Sequence, residues 1–183
     1  MTTRNLILFT ALLASSAVAG YMFYAARPNG AVYQGDASAR QQVVGSMRPV
    51  FSLPDITGND RSITEWDGKA LVVNFWATWC PPCLREIPML IDASDELATR
   101  DIQIIGIAMD DPDAVREFAA QNNFNYPILV GEQEAIAAAE AFGADVIGLP
   151  LTVFTDHAGR VIEIHPGELN RDELDAAIAT LQQ

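Results

Sequence analysis

The sequence predicts an α/β sandwich, a mixed central sheet flanked by helices. Three patterns carry that prediction. Two continuous apolar runs, "ALVVNFWA" at 70–77 and "IQIIGIAM" at 102–109, read as strands buried on both faces, and each is followed by a stretch of helical period. Near the end, "LTVFTD" and "RVIEIH" flank the turn "DHAG" and lead into a capped helix, the pattern of an antiparallel hairpin closing the sheet.

In chain order, "VFSLPDITGNDRSITEWDG" comes first. Its short apolar stretches surround the turn-forming Thr57-Gly58-Asn59-Asp60, which predicts an N-terminal β-hairpin over residues 50–65. After the first central strand, a helix starts at Pro81 with Leu84, Ile87, Ile91 and Ala98 as its apolar stripe. Pro88 removes one backbone bond inside that helix and predicts a kink. Beyond the second strand, "DPDAVREFAAQ" puts acidic residues and a proline in a helix first turn, with Val115, Phe118 and Ala119 on the apolar face. "YPILVG" is a short strand, and "QEAIAAAEAFG" is a helix stopped by Gly143. The last helix begins at Asn170 with Glu173 three residues on, a capping box, and buries Leu174, Ile178 and Leu181.

The folded domain is thus expected over 49–183, with extra sequence ahead of it. From Leu6 to Ala26 there is no charged residue, a stretch about long enough to cross a hydrocarbon core of roughly 30 Å. It reads as a membrane anchor over residues 1–27. The competing reading is a cleaved signal peptide with Leu6–Leu13 as apolar core and Ala17-Val18-Ala19 as cleavage site. Either reading, with the N-terminus cytoplasmic, sends the domain to the periplasmic or other extracytoplasmic side of the cell membrane. Residues 28–48 are polar and rich in small side chains, a flexible tether with an end-to-end distance of about 25 Å. The formal charge is −13 with no Lys/Arg cluster, which argues against a nucleic-acid partner.

The chain's two cysteines, Cys80 and Cys83, stand together in "NFWATWCPPC". A metal clamp, a structural staple and a redox pair are the three readings. Zinc needs about four ligands, and the two histidines, His157 and His165, lie in the terminal hairpin without paired spacing, so no metal site is expected. Covalent haem attachment needs a histidine after the second cysteine, and residue 84 is leucine. A staple across a loop of about four residues contributes about 2 kcal/mol, against nearly 5 for a loop of about 100. Redox chemistry explains the spacing better, and it calls for no bound cofactor. Cys80 follows a strand and precedes a helix, so its sulfur lies at a helix N-terminus, where the dipole and unpaired N–H groups favour thiolate. Pro81 pushes Cys80 out of the α region, and Cys83 falls on the same helical face one turn later. Pro81 and Pro82 remove two N–H donors, which leaves the Cys83 N–H as the main backbone partner of the Cys80 sulfur. Glu86, three residues after Cys83, is placed to take or hold the proton of the resolving thiol; its plainer reading is a solvated helix carboxylate.

Over roughly residues 48–183 the chain resembles the thioredoxin superfamily, and within it the membrane-anchored TlpA-like branch of extracytoplasmic thiol-disulfide oxidoreductases. The resemblance rests on "VVNFWATWCPPCLREIP", on Pro88 and on "GLPLTVFTDHAGRVIEIHPGEL". It implies a thioredoxin-like sandwich with a helix-strand insertion at about Asp111–Val130. It also implies a redox-active disulfide in which Cys80 is the attacking, more exposed cysteine and Cys83 the resolving one, with Glu86 as the active-site glutamate. Pro150 matches the superfamily's cis-proline beside the disulfide, with the Leu149 backbone available to pair with an extended substrate segment. Trp79, Pro81 and Pro82 join Leu149 and Pro150 at the substrate surface. Trp76 and Trp79 flank the site as apolar cover, against their plainer reading as ordinary core or surface aromatics. The implied partners are a disulfide-containing protein substrate and a membrane electron donor that re-reduces the pair.

Two departures stand out. Asn74 occupies the place of thioredoxin's buried aspartate and cannot act as a base, so that work falls to Glu86 or water. Cytochrome c maturation reductases of the branch tend to carry an acidic residue after the cis-proline; Leu151 here weighs against apocytochrome reduction. The expected function is a protein-disulfide reductase working by mixed-disulfide exchange. Its rivals are a copper-handling module built on the two thiolates, a redox-silent interaction domain, and a disulfide oxidant of the same fold, since direction depends on potential and partner.

Overall fold

The computed structural model describes residues 43–143 and 148–181. The expected anchor and the tether up to residue 42 lie outside them. Residues 43–48, which the sequence pattern assigns to the tether, lie against the terminal hairpin: Gly45 N–H donates to the Val161 carbonyl at 2.7 Å and Arg48 N–H to the Gly159 carbonyl at 2.8 Å. Among the described residues, no helix is long and apolar enough to cross a membrane.

Strands β1 (Ser52–Pro54) and β2 (Asp60–Ser62) pair antiparallel. Their turn is held by the Asp55 carboxylate, which accepts from the N–H groups of Thr57 and Asn59. A 3-10 turn, Ile63–Trp66, follows behind a capping box of Ser62 and Glu65. The main sequence of elements is β3 (Ala70–Trp76), α1 (Pro81–Ala98), β4 (Ile102–Met109), α2 (Pro112–Asn122), β5 (Ile128–Gly131), α3 (Gln133–Ala141), β6 (Leu151–Thr155), β7 (Val161–Pro166) and α4 (Arg171–Thr180). The sheet order is β5-β4-β3-β6-β7. Strands β3, β4 and β5 run parallel, and β6 and β7 add antiparallel to complete a mixed sheet.

β3 is central and buried at every residue, which is why it reads as an unbroken apolar run. Its side chains alternate between two cores. Leu71, Val73 and Phe75 pack with Leu53, Trp66, Leu129 and Phe142, so the hairpin and α3 cover that face. Val72 packs on the other face with Leu90, Leu97, Phe154 and Leu174 from α1, β6 and α4. Trp76, on the same side as Val72, closes this face toward α2 with Val115 and Ala119. The insertion α2–β5 thus extends the layer that carries the cysteine pair.

The apolar stripe of α1 differs from the expected Leu84–Ile87–Ile91–Ala98. The buried residues are Cys83, Glu86, Ile87, Leu90, Ala93, Ser94 and Leu97, while Ala98 is exposed and Leu84 and Ile91 are half-buried. A 3.6-residue period allows two adjacent rows, and a hydropathy pattern passes over the one that contains a carboxylate and a serine. The helix continues through Pro88, which faces solvent. α3 ends where Gly143 takes φ 73°, a left-handed conformation that glycine adopts without a Cβ clash. The capping box at α4 is present, with Asn170 accepting from Glu173 N–H and the Glu173 carboxylate accepting from Asn170 N–H.

Candidate active site

The cysteine pair lies where β3 leaves the sheet. Cys80 is the N-cap of α1 with φ −100° and ψ 99°, the extended conformation expected of a residue before proline. Its Sγ accepts from the Cys83 N–H at 3.3 Å, and the two residues are joined as a disulfide with Cα atoms 5.3 Å apart. Pro81 and Pro82 occupy the first helical turn, Pro81 exposed and Pro82 half-buried. Cys80 is 3 % exposed and Cys83 0 %, so in the oxidised state a partner reaches the pair from the Cys80 side.

The approach to Cys80 is fixed from β4. Asp110 accepts from both the N–H and the hydroxyl of Thr78, at 2.8 and 2.6 Å, and its other oxygen caps the Asp111 N–H. This anchor escapes a linear reading because Thr78 and Asp110 meet only when β3 and β4 pair. Between Thr78 and Cys80, Trp79 stands 66 % exposed. It lines a shallow cleft with Met109, Asp110, Asp111, Gln133 and Ile136. Trp76, by contrast, is fully buried: it stacks on Phe124 at 5.6 Å and leans on Phe118 at 5.4 Å, in the buried cluster that also contains Cys80 and Cys83. Of the two expected cover residues, one is core.

Glu86, one helical turn from Cys83, is 2 % exposed and not a solvated helix carboxylate. Its Oε1 accepts from Asn74 Nδ2 and its Oε2 from the Leu169 N–H, both at 2.7 Å. Burial raises its pKa to about 7, because desolvation penalises the charged form; the two N–H bonds pull the other way, and the Glu168 charge adds a smaller upward push. Asn74 also donates to Thr152 Oγ1 at 3.0 Å, while its Oδ1 has no protein partner among the described residues. Asn74 therefore serves the site without titrating: it is a neutral donor to the one carboxylate that is buried among the described residues. The sequence reading missed that role, and Leu169 altogether.

The Leu149–Pro150 peptide bond is cis. Leu149 packs against the cluster that contains Cys80 and Cys83, and Pro150 is buried with its carbonyl accepting from Gly167 N–H at 2.9 Å. Leu151 begins β6 as a buried residue paired with Phe75. Among the described residues, no three His, Cys, Asp or Glu side chains converge as a metal site.

A disulfide at the N-terminus of a helix, on a five-stranded sheet of this order and beside a cis-proline, defines a thioredoxin-fold thiol-disulfide oxidoreductase. Residues 44–164 match the model of the AhpC/TSA family, and the chain belongs to that family. It is 30 % identical over 146 residues to the thiol-disulfide oxidoreductase ResA of Bacillus cereus (strain ATCC 10987 / NRS 248), covering 79 % of this chain and 82 % of that one. The ResA of Geobacillus thermodenitrificans is 29 % identical over 140 residues, 76 % of this chain and 78 % of the relative. Among solved structures, a thioredoxin-family thiol:disulfide interchange protein from Chlorobium tepidum superposes with a TM-score of 0.67 at 28 % identity, covering 75 % of this chain and 96 % of that one.

Proposed function

We propose that this oxidoreductase works as a protein-disulfide reductase through its Cys-Pro-Pro-Cys pair. The Cys80 thiolate attacks a partner disulfide, forming a Cys80–partner mixed disulfide and releasing the partner's other sulfur as a thiolate that takes a proton. Cys83 then gives its proton to Glu86, and its thiolate attacks the Cys80 sulfur. The second partner thiolate leaves, the partner has gained two electrons, and the Cys80–Cys83 disulfide remains. The observation that carries this reading is the buried Glu86 carboxylate, pushed up to about 7, one turn from Cys83 on the helix that Cys80 caps. A group with that affinity accepts a proton and returns it near neutral pH.

The exposed Trp79 and the backbone at the half-buried Leu149, ahead of the buried Pro150, form the surface to which an extended disulfide-bearing segment docks. The domain is tethered through residues 28–42 to an anchor at 1–27, on the extracytoplasmic side of the cell membrane, and a membrane electron donor re-reduces the pair. The uncharged run Leu6–Ala26 supports that placement. Cytochrome c maturation is the pathway the family resemblance points to, with Leu151 as the departure from it. The test is insulin-type disulfide reduction together with thiol trapping in cells. Cys80→Ala is expected to abolish reduction, and Cys83→Ala to accumulate mixed disulfides from which the partner is identified. Full activity in Cys80→Ala would overturn the mechanism, and a pair found oxidised in cells would reverse its direction.

A further inference from the structure

Three consecutive residues ahead of α4 each hold a different part of the site. The Gly167 N–H donates to the Pro150 carbonyl at 2.9 Å. The Glu168 carboxylate receives the Arg85 guanidinium, with Nε 3.0 Å from each carboxylate oxygen and a further bond from Nη2. The Leu169 N–H donates to Glu86 Oε2 at 2.7 Å. Neighbours on α1, Arg85 and Glu86, thus grip neighbours on this segment, Glu168 and Leu169, while the segment's other end is bonded to the cis-proline loop. Gly167 has φ 95°, a backbone conformation that a side chain would strain. The Leu169 side chain is buried in the core beneath α1 and α4, which pins the far end.

We propose that Glu168, with Arg85, is a positioning residue for the resolving half of the exchange: the ion pair fixes Gly167–Leu169, and that segment holds the Glu86 carboxylate and the Pro150 carbonyl in one register. The inference deepens the reductase reading and rests on Glu86 serving Cys83 there. Neither Arg85 nor Glu168 touches the reacting sulfurs. What they provide is a short backbone path between the loop that receives substrate and the group that receives the proton. A segment pairing at Leu149 acts on a backbone whose next hydrogen bond, from Gly167, lies two residues from the Glu86 donor. Glu86 is faced by the neutral Asn74 on β3 and the Leu169 N–H, with Glu168 on the segment and Tyr126 ahead of β5 as the titratable groups coupled to its charge; Thr152 on β6 bonds to Asn74, and Arg85 and Cys83 are its neighbours along α1.

Glu168→Gln in the full oxidised chain separates positioning from mere proximity, because its two effects on Glu86 have opposite signs. Removing the Glu168 charge by itself lowers the Glu86 titration point, whereas loosening the Leu169 N–H raises it. The expected result by carboxyl-carbon NMR is a rise, with amide exchange at Gly167 and Leu169 faster by about threefold or more. The charge-reversed pair, Arg85→Glu with Glu168→Arg, is expected to restore both readouts. In turnover, Glu168→Gln slows release of the mixed disulfide while Cys80 attack keeps its rate. A Glu86 titration point that falls or stays, with unchanged amide exchange, makes Glu168 a bystander charge and overturns the proposal; so does a folded charge-reversed pair that restores neither readout. The NMR measurements need no substrate, so they stand or fall apart from Cys80→Ala, which tests the reductase reading itself.

Discussion

Replacing Glu86 with glutamine tests the buried carboxylate without removing its bulk. In the folded protein this group titrates near 7, against an ordinary value of 4.5. The folded state therefore binds more protons than the unfolded chain between those two values. Its stability is greatest below the unfolded pKa, falls as pH rises through the window, and levels off above about 7. Each pH unit of displacement is about 1.4 kcal/mol, so the full loss is about 3 kcal/mol, of which roughly 2–3 falls between pH 5 and pH 8. Glutamine has no such loss. It does bring an amide N–H₂ into a place where Asn74 Nδ2 and the Leu169 N–H both donate, and one donor set against another costs about 1–3 kcal/mol at every pH. The Asn74 Oδ1, which has no protein partner among the described residues, becomes an acceptor for glutamine if the Asn74 amide turns over, and that holds the cost toward the lower end.

The two contributions predict a crossing. In urea unfolding of the oxidised protein, Glu86→Gln is expected to be less stable than wild type at pH 5, and to recover about 2–3 kcal/mol relative to it by pH 8. Groups remote from Glu86 are common to the two proteins and cancel in the difference. Stability profiles that stay parallel to within about 0.5 kcal/mol from pH 5 to pH 8 would show that Glu86 is already charged throughout, and would refute the proton-acceptor argument.

Three further substitutions probe the surroundings. Asn74→Asp places a second carboxylate where the Nδ2–Oε1 distance is 2.7 Å, so the pair shares one proton: NMR should show one step below the wild-type Glu86 value and one above it, and a single unchanged step would contradict the geometry. Gly106→Ala puts a Cβ 3.1 Å from Trp76 Nε1 and 3.2 Å from Tyr126 Cε2, both ring atoms wedged in the core; a loss of about 1–3 kcal/mol is expected, and an unchanged unfolding midpoint would mean that the rings give way freely. Trp79→Ala should leave stability within about 0.5 kcal/mol, since the ring is exposed, yet lower kcat/KM for a protein disulfide by about 5- to 30-fold while sparing a small disulfide. An equal loss with both substrates would assign Trp79 to Cys80 reactivity instead of docking.

What the sequence discloses follows the range of the interaction. The strands 70–76 and 102–109 are legible because burial on both faces demands apolar residues at consecutive positions. The caps of α1 and α4 are legible because they span three residues: Cys80 to Cys83, Asn170 to Glu173. The surroundings of Glu86 are not. Its donors lie 12 and 83 residues away, and the Leu169 donor is a backbone N–H, which carries no residue signature at all. The same holds for Asp110, brought to Thr78 by strand pairing across 32 positions. In α1, hydropathy selected the row through Ala98 because the buried row contains the polar Glu86 and Ser94. A polar side chain taken into the core looks, in such a pattern, like one meant for water.

Asn74 gains its meaning from the same balance. A carboxylate taken out of water with no donor would have its pKa driven far above neutrality, and would neither release nor accept a proton at useful rates. A lysine or arginine in the place of Asn74 would hold it ionised far below neutrality, a poor proton acceptor. Two uncharged N–H donors, one from the centre of β3 and one from the segment ahead of α4, oppose desolvation without cancelling it, and the value settles near 7. The carboxylate rides on the same helix as Cys83, so it keeps its place relative to that sulfur, while its donors belong to the sheet and the segment across from it. Any shift of α1 against the sheet therefore alters the donors, and with them the proton affinity, before it alters the distance from Glu86 to Cys83.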